Sequence, residues 1–417
     1  MLESCPPSPR NNSRRLGRRG LSLLLLPLLV TSCYPAIGEE SGRSCRAASL
    51  QANNTVTELS LPQQVQGNPL LVPTWITYKE RFIQEDGRVV DREDRDRTVS
   101  EGQAYAMLRA VMINDRATFE RTLSWAETHL ARPNDTLWAW HWGEAADGQW
   151  QILDPAFATD ADIDAVTALI LAARRWNCSA YLDLAKTKLN DIWTLGTASL
   201  ATDERHLLPG PAEAFWKGDE LVLNPSYFAP YAFRLFAQVD QRHDWLSLVD
   251  TGYTLLEQST AISTTGLPSD WIQLNLKSGR YGPVTAIDTL ESRYSFDAFR
   301  VWWRVALDAA WFETPRATAF LEANLTYLKQ QWRSDGAIAA RLTLEGQPLV
   351  EWETTAQYAM LYPALQLTSP LLAREIYQQK LLPSYEQGFW DNNTAYYAQN
   401  LAWFGLLPLS PPTDLLQ

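Results

Sequence analysis

Residues 161–195 read ADIDAVTALILAARRWNCSAYLDLAKTKLNDIWTL and contain two apolar patterns, 161–176 and 179–195, with a short break between them. Apolar residues recur every three or four positions in each half, as they do on one face of an α-helix. So short a break turns the second helix back along the first. The stretch therefore predicts a helical hairpin, which needs similar neighbours to bury its apolar faces.

The same rhythm runs through most of the chain. Long connections, near 132–160, 196–225, 259–294 and 332–350, separate pairs of helices that tight turns join. The predicted helices lie near 72–83, 101–114, 116–131, 161–176, 179–195, 226–238, 241–258, 295–311, 314–331, 351–364, 371–383 and 395–407. Twelve helices in six hairpins predict an all-α (α/α)6 barrel over residues 70–410, and an open superhelix is the alternative.

Composition narrows the class of ligand. The 417 residues carry a formal net charge of -12 with a pI of about 5.0, whereas nucleic-acid binding needs a basic face. The 18 tryptophans exceed what a core needs, because this large side chain is seldom fully buried. Sugar rings stack their C–H faces on indoles, so we expect about half of the tryptophans to pack between helices and others to serve a glycan groove.

Motifs for other chemistries are missing from the sequence. It has four histidines, and it contains no HExxH, paired-cysteine zinc pattern, GxxxxGK, GxGxxG or GxSxG. We therefore expect no metal and no cofactor. Acid–base chemistry by carboxylates is what remains.

The amino terminus has the pattern of an export signal. Arginine-rich residues 10–19 precede the apolar run 21–30, which is too short to span a bilayer comfortably. Val30-Thr-Ser-Cys33 resembles a bacterial lipobox, and a plain signal peptide is the alternative. We predict a signal peptide with lipobox at 1–33, a lipid anchor on Cys33 as the only membrane contact, and a polar linker at 34–69.

The same resemblance predicts a periplasmic or cell-surface lipoprotein. Tyr34 follows the cysteine and favours the outer membrane. Export permits disulfides, but Cys45 and Cys178 are too far apart in sequence to establish one. We expect Cys178 to be a free, buried thiol.

Three acidic residues each lie in the first turn of a predicted helix: Glu101, Asp160 and Asp297. All three helices are even-numbered along the chain. If the even helices form the inner ring, they run parallel and their amino ends meet at one mouth. The parity therefore predicts that the three carboxylates share a cleft.

Each acid alone also fits a helix cap, because the first turn exposes N–H groups and the positive end of the dipole. At Glu101, however, Ser100 and Gln103 already form a capping-box pattern. Asp297 has the alternative of a simple i,i+3 ion pair with Arg300. As a group, the acids match glycoside hydrolysis, which needs one protonated carboxyl and one ionised carboxylate. Acids on different helices suit the wider spacing of inversion, about 6.5–9.5 Å.

Five segments in order resemble glycoside hydrolase family 8, in its cellulase-like subgroup. They are Ser100-Glu-Gly-Gln-Ala-Tyr-Ala-Met107, Ala158-Thr-Asp-Ala-Asp-Ile-Asp164, Asn224-Pro-Ser-Tyr-Phe-Ala-Pro230, Tyr294-Ser-Phe-Asp-Ala-Phe-Arg300 and Tyr396-Tyr-Ala-Gln-Asn-Leu-Ala-Trp-Phe404. The resemblance implies an (α/α)6 barrel, an inverting mechanism and no catalytic cofactor. It implies Glu101 as general acid, Asp297 as general base, and Asp160 as the residue that binds and distorts the sugar. An aspartate at 297 favours β-1,4-glucan as substrate over chitosan.

Further substrate contacts are predicted in the loop before the Asp160 helix and beside the acids. An extended 137–143 would put alternate tryptophans on one side. The predicted substrate-binding residues are Trp138, Trp140, Trp142, Tyr227, Tyr294 and Arg300.

Taken together, these patterns predict a monomeric endo-β-1,4-glucanase that binds a β-glucan. Two other classes stay open. Helical toroids also host polysaccharide lyases, which act on uronic acids. A non-catalytic cell-surface glycan-binding protein would share the tryptophans but release no new reducing ends.

Overall fold

The computed structural model describes residues 61–200 and 204–416. The predicted signal peptide 1–33, its Cys33 and most of the linker 34–69 lie outside the described residues. The helices, labelled α1 to α16 in chain order, are Gln63–Gln66, Leu71–Phe82, Ser100–Met112, Arg116–His129, Thr159–Arg175, Ser179–Leu195, Ala212–Phe215, Pro230–Val239, Trp245–Ala261, Phe296–Phe312, Pro315–Asn324, Thr326–Asp335, Thr355–Thr368, Pro370–Ile376, Tyr396–Leu406 and Thr413–Leu416.

Six helices are buried on nearly all sides and form an inner ring: α3, α5, α8, α10, α13 and α15. They are the even-numbered helices of the predicted twelve. The outer helices bury one face each, as an amphipathic pattern requires. The predicted hairpin of 161–195 is confirmed, since α5 spans Thr159–Arg175 and α6 follows after a short turn at Ser179–Leu195.

The ring closes between its first and last helices. Trp403 of α15 donates its indole N–H to the carbonyl of Leu71 in α2 at 3.0 Å. Arg109 of α3 donates to Asn400 of α15 at 3.1 Å, and both side chains are buried. These contacts give the predicted (α/α)6 barrel and exclude the open superhelix.

Some helix boundaries differ from the predictions, and at α8 the cause is proline. The predicted helix 226–238 is a 3-10 turn, Pro225–Tyr227, followed by α8, which begins at Pro230. Proline disfavours a helical residue before it but fits the first helical position, so the helix starts afresh there. The predicted helix 314–331 is split into α11 and α12. The predicted helix 371–383 is α14 followed by a π-turn, Tyr377–Leu381.

The connections between helices contain strands, which the sequence predictions treated as loops. Strands β1 to β11 are Thr98–Val99, His141–Glu144, Trp150–Asp154, Thr197–Ser199, Arg205–Leu207, Trp216–Lys217, Glu220–Leu223, Ile272–Asn275, Arg280–Pro283, Tyr385–Glu386 and Phe389–Trp390. The antiparallel sheet β1-β2-β3 and the sheet β6-β7-β8-β9 are the larger two. Both border the mouth of the barrel.

Burial bears out one compositional prediction and corrects another. Nine of the 18 tryptophans are buried, as expected for those packing between helices. The end of the predicted linker, however, packs on the barrel: Val65 is buried, and Asn68 donates its amide N–H to the carbonyl of Leu406 at 3.1 Å.

The prediction of a free Cys178 is wrong, because Cys178 is disulfide-bonded. The sequence separation that argued against a bond does not limit contacts in a folded chain. The remaining cysteines lie outside the described residues. Across residues 61–200 and 204–416, no helix is both long and apolar enough to cross a membrane.

Candidate active site

A cleft of about 620 Å³ opens where the inner helices begin. Glu101, Asp160 and Asp297 all line it, each from the first turn of its own inner helix. The sequence predicted this arrangement, because the three acids begin even-numbered helices.

Arg300 joins the three carboxylates. Its Nη1 donates to Glu101 Oε1 at 2.5 Å and to Asp160 Oδ2 at 2.7 Å. Its Nη2 donates to Asp297 Oδ1 at 2.7 Å and to the hydroxyl of Ser226 at 3.0 Å. The guanidinium is buried, so these charge-assisted bonds form in a poorly screened environment.

Glu101 is the acid whose protonation is most altered. Burial raises the pKa of Glu101 to about 7, the charge of Arg300 lowers it, and the charge of Asp160 raises it further. The hydroxyl of Tyr105, one turn along α3, donates to Glu101 Oε1 at 2.9 Å. Glu101 can therefore hold a proton near neutral pH.

Asp297 is held from two sides. Burial raises its pKa, while Arg300 and a 3.1 Å hydrogen bond from the side-chain amide of Asn224 oppose that rise. The carboxylate of Asp270 accepts the backbone N–H groups of Ser295 and Ala298 at 3.1 and 2.9 Å. Asp270 thus caps the helix that carries Asp297, from a separate loop.

Asp160 and Tyr227 complete the polar floor of the cleft. Asp160 Oδ1 accepts the backbone N–H of Ala161 at 2.9 Å, which leaves Oδ2 to Arg300. The ring of Tyr227 lies 5.4 Å from the guanidinium of Arg300. Both residues line the cleft.

The predicted capping box at α3 is not formed. Gln103 instead accepts the backbone N–H of Val89 at 2.5 Å and donates to the carbonyl of Thr122 at 3.0 Å. The N–H of Ser100 donates to the carbonyl of Trp140 at 3.0 Å. The loop of Trp140 therefore pairs with the start of the helix that carries Glu101.

Of the three predicted loop tryptophans, only Trp140 lines the cleft. Trp138 is buried in the core, where its indole N–H donates to Glu127 at 2.8 Å and Lys188 Nζ lies 4.6 Å from the ring. The prediction that Trp138 stacks on sugar is therefore wrong.

Trp142 also lies outside the cleft, which corrects a second prediction. Its ring packs against Trp125 at 5.3 Å and Trp150 at 5.0 Å. Strand β2 begins only at His141, and its register against β3 shifts between His141 and Trp142. The assumed alternation fails because the stretch is not one regular strand.

Tyr294 is a third correction. It is fully buried, and its hydroxyl accepts the indole N–H of Trp302 at 3.1 Å. Its backbone pairs with Leu342 instead of facing the cleft. Tyr294 is therefore not placed to touch substrate.

Sequence reading missed several residues that line the cleft, including Asp270, Trp271, Tyr396 and Tyr397. The first two follow no helical period and fall in the long connection 259–294. The two tyrosines were predicted as part of the closing helix. The acid–aromatic pair Asp270-Trp271 was the available signal, but its meaning depends on where the loop folds.

The described residues offer no metal centre. Within 61–200 and 204–416, no group of three or more His, Cys, Asp and Glu side chains has the arrangement to hold a metal ion.

Comparison with known proteins identifies relatives along most of the chain. Residues 48–409 match the sequence profile of "Glycosyl hydrolases family 8". An endoglucanase of Pseudomonas fluorescens is 31% identical over 233 residues, which are 55% of this chain and 58% of that protein. An endoglucanase of Cellulomonas uda is 28% identical over 303 residues, 70% of this chain and 82% of that protein.

Among solved structures, an endo-1,4-D-glucanase from Vibrio fischeri aligns with a TM-score of 0.69 and 27% identity. The alignment covers 80% of this chain and 93% of that chain. The match to the Pseudomonas fluorescens protein spans less than two thirds of that relative's length.

Proposed function

The chain belongs to family 8 of the glycosyl hydrolases, and from that membership we propose that it is an endo-acting β-1,4-glucanase that works by inversion. The observation that carries the proposal is the sharing of one guanidinium, that of Arg300, by Glu101, Asp160 and Asp297. The names of the endoglucanase relatives support β-glucan as the substrate class.

In this mechanism Glu101 is the general acid. It protonates the glycosidic oxygen as the bond to the leaving sugar breaks. A pKa of about 7 suits this role, because a carboxyl with its usual pKa would carry no proton at neutral pH.

Asp297 is the general base, which removes a proton from the attacking water. It bonds a different nitrogen of Arg300 from Glu101. Inversion requires that the water fit between base and sugar, so the two carboxyl groups must stand apart. Burial raises the pKa of Asp297, and Arg300 and Asn224 oppose that rise by favouring its ionised form.

Asp160 binds the sugar at the point of cleavage through a hydroxyl group. Its charge also helps to raise the pKa of Glu101, so it keeps the acid protonated. Tyr227 and Trp140 line the same cleft and contribute flat surfaces for neighbouring sugars.

A lyase is less compatible with this site. Lyases usually need a tyrosine or histidine as base, yet burial raises the pKa of Tyr105 and of Tyr227 well above the usual value, and nearby carboxylates add to the rise. Neither hydroxyl is poised to lose its proton.

A substrate panel tests the proposal. We expect reducing ends from carboxymethyl-cellulose and mixed-linkage glucan, with a rapid fall in viscosity and early products of the α configuration by NMR. Activity confined to xylan or chitosan would reject the substrate class. Early β products would reject inversion, and absorbance from an unsaturated sugar would indicate a lyase.

We also propose that the protein is exported as a monomer and anchored by a lipid on Cys33. The support is the arginine-rich start and Val30-Thr-Ser-Cys33. Cys33→Ser should abolish labelling by a fatty-acid analogue and release the protein from the membrane fraction. Membrane retention of that variant would contradict the anchor, and light scattering of the released protein would test the monomer.

A further inference from the structure

All 18 tryptophans lie in the part of the chain that the structure describes, and two are more than a third exposed: Trp150 at 40% and Trp352 at 48%. A single exposed apolar side chain is common on protein surfaces, so exposure alone does not indicate a binding site. The position of each tryptophan relative to the cleft distinguishes the two. Trp150 stacks on Trp142, which lies outside the cleft. Trp352 lies beside Phe296, which lines the cleft.

The backbone holds Trp352 at the mouth of the barrel. Trp352 comes just before α13, an inner helix. Its carbonyl accepts the N–H of Ala340 at 2.9 Å. In the same loop, Leu342 exchanges two 3.0 Å backbone hydrogen bonds with Tyr294, which lies two residues before the start of α10. The loop is thus tied to the helix that carries Asp297.

A row of aromatic rings leads from the cleft to Trp352. The ring centroids of Tyr397 and Phe296 are 6.1 Å apart, and those of Phe296 and Trp352 are 6.2 Å apart. The guanidinium of Arg341 lies 5.6 Å from the Phe296 ring and 5.8 Å from the Trp352 ring. Contact with one cation stabilises the position of both rings.

We propose that Trp352, supported by Phe296 and Arg341, is a stacking platform for a distal glucosyl unit, a subsite just outside the cleft. A held indole loses little side-chain entropy when a flat sugar face covers it, and covering it removes exposed apolar surface from water. The inference rests on the proposed function, because it assumes a chain long enough to leave the cleft. It predicts that affinity depends on chain length.

Hydrolysis of a ladder of cello-oligosaccharides tests the platform. Trp352→Ala should lower kcat/KM about two- to tenfold on chains that reach the platform. It should leave the shortest cleaved chain unaffected. Trp352→Tyr should restore most of the loss. The matched control is Trp150→Ala, which should change neither class of substrate. An equal loss on all lengths, or no loss on any, would overturn the proposal.

A binding measurement separates this inference from the proposed function. Calorimetry on Glu101→Gln, with and without Trp352→Ala, measures affinity for long and short cello-oligosaccharides without turnover. The platform predicts weaker binding of the long chains only. If the wild-type protein hydrolyses no glucan but Trp352→Ala still weakens the binding of long chains, the proposed activity fails and the platform stands. If Glu101→Gln binds long and short chains with the same affinity whether or not it carries Trp352→Ala, the platform is wrong.

Discussion

Arg300 and Arg304 lie one turn apart on α10, and both reach across the barrel to α5, where Asp160 and Asp164 are also one turn apart. Arg304 and Asp164 form what we call the lower level, where the two charges are matched. Arg304 binds Asp164 through two parallel hydrogen bonds of 2.9 and 2.8 Å, and both side chains are at most 1% exposed. One cation meets one anion there.

At the upper level, that of Arg300 and Asp160, the one guanidinium binds three carboxylates. The side chains of Glu101 and Asp297 are 20% and 30% exposed, because this level faces the cleft. One guanidinium cannot neutralise three carboxylates, and burial penalises their charge, so protonation near neutral pH becomes accessible to Glu101. The same residue types give a structural pair when the charges match and a reactive site when negative charge is in excess beside solvent.

The largest effect should follow from neutralising the upper acids. Glu101→Gln and Asp297→Asn should each lower kcat on a soluble cellulose derivative about 10²–10⁴-fold, because each removes a proton-transfer group. The melting temperature should not fall, since each change relieves crowded negative charge. Glu144→Gln, on the exposed end of β2, is the control and should keep full activity. Near-normal turnover in either variant would remove that residue from its role.

The second prediction contrasts the two levels directly. Asp164→Asn should reduce the free energy of unfolding by about 3–5 kcal/mol, because it leaves the buried charge of Arg304 without a counter-ion. Asp160→Asn should cost little or no stability, since Arg300 keeps two carboxylates, but it should cost activity. Urea denaturation and initial rates measure both. An equal loss of stability in the two variants would contradict the distinction between the levels.

The third prediction concerns pH. The pKa of Glu101 is raised to about 7, so kcat/KM should fall as pH rises through that value and the acid loses its proton. Tyr105→Phe removes a hydrogen bond that lowers this pKa, so the falling limb should move to higher pH. A limb that stays in place would argue against Glu101 as the titrating acid.

Stability should show the same titration with a defined sign. Between 4.5 and about 7 the folded state holds the proton of Glu101 and the unfolded state does not, so this group makes the free energy of unfolding fall as pH rises. Burial also raises the pKa of Asp162 to about 7, and Asp162, outside the cleft, accepts the backbone N–H of Trp138 at 3.2 Å. Asp162→Asn should therefore flatten the pH dependence of stability without moving the activity limb.

The smallest expected effect is steric. A Cβ at Gly102 would lie 2.2 Å from the hydroxyl of Tyr396, a cleft residue, so Gly102→Ala must displace that tyrosine. We expect kcat/KM to fall about tenfold while the fold persists. Gly282→Ala is the matched control, because a Cβ there meets nothing within 4 Å. Unchanged kinetics in Gly102→Ala would show that the position of Tyr396 does not matter.

Much of the fold was readable from the sequence because a helix is a local structure. The period of apolar residues placed α3, α5 and α6 within a residue or two of their ends. The parity of the helices placed three acids at one mouth. Strands β2 and β3 were not predicted, because each is short and lies within a long connection.

The contacts around the acids were less predictable. Asp270 caps the Asp297 helix from 28 residues before Ala298, a role that no local pattern announces. Trp138 and Trp140 differ by two positions, yet one fills the core and the other lines the cleft. Their separation depends on an irregular backbone before β2, which propensity alone cannot define.

The sequence by itself determined the helices, their pairing into hairpins and the placement of acids at alternate helix starts, because those features depend on neighbours a few residues away. Only the tertiary structure decided that Glu101 and Asp160, which precede Arg300 by 199 and 140 residues, share its guanidinium. That sharing exists only when the ring closes and brings separate helix ends to one point. Burial at that point then sets which carboxyl keeps its proton.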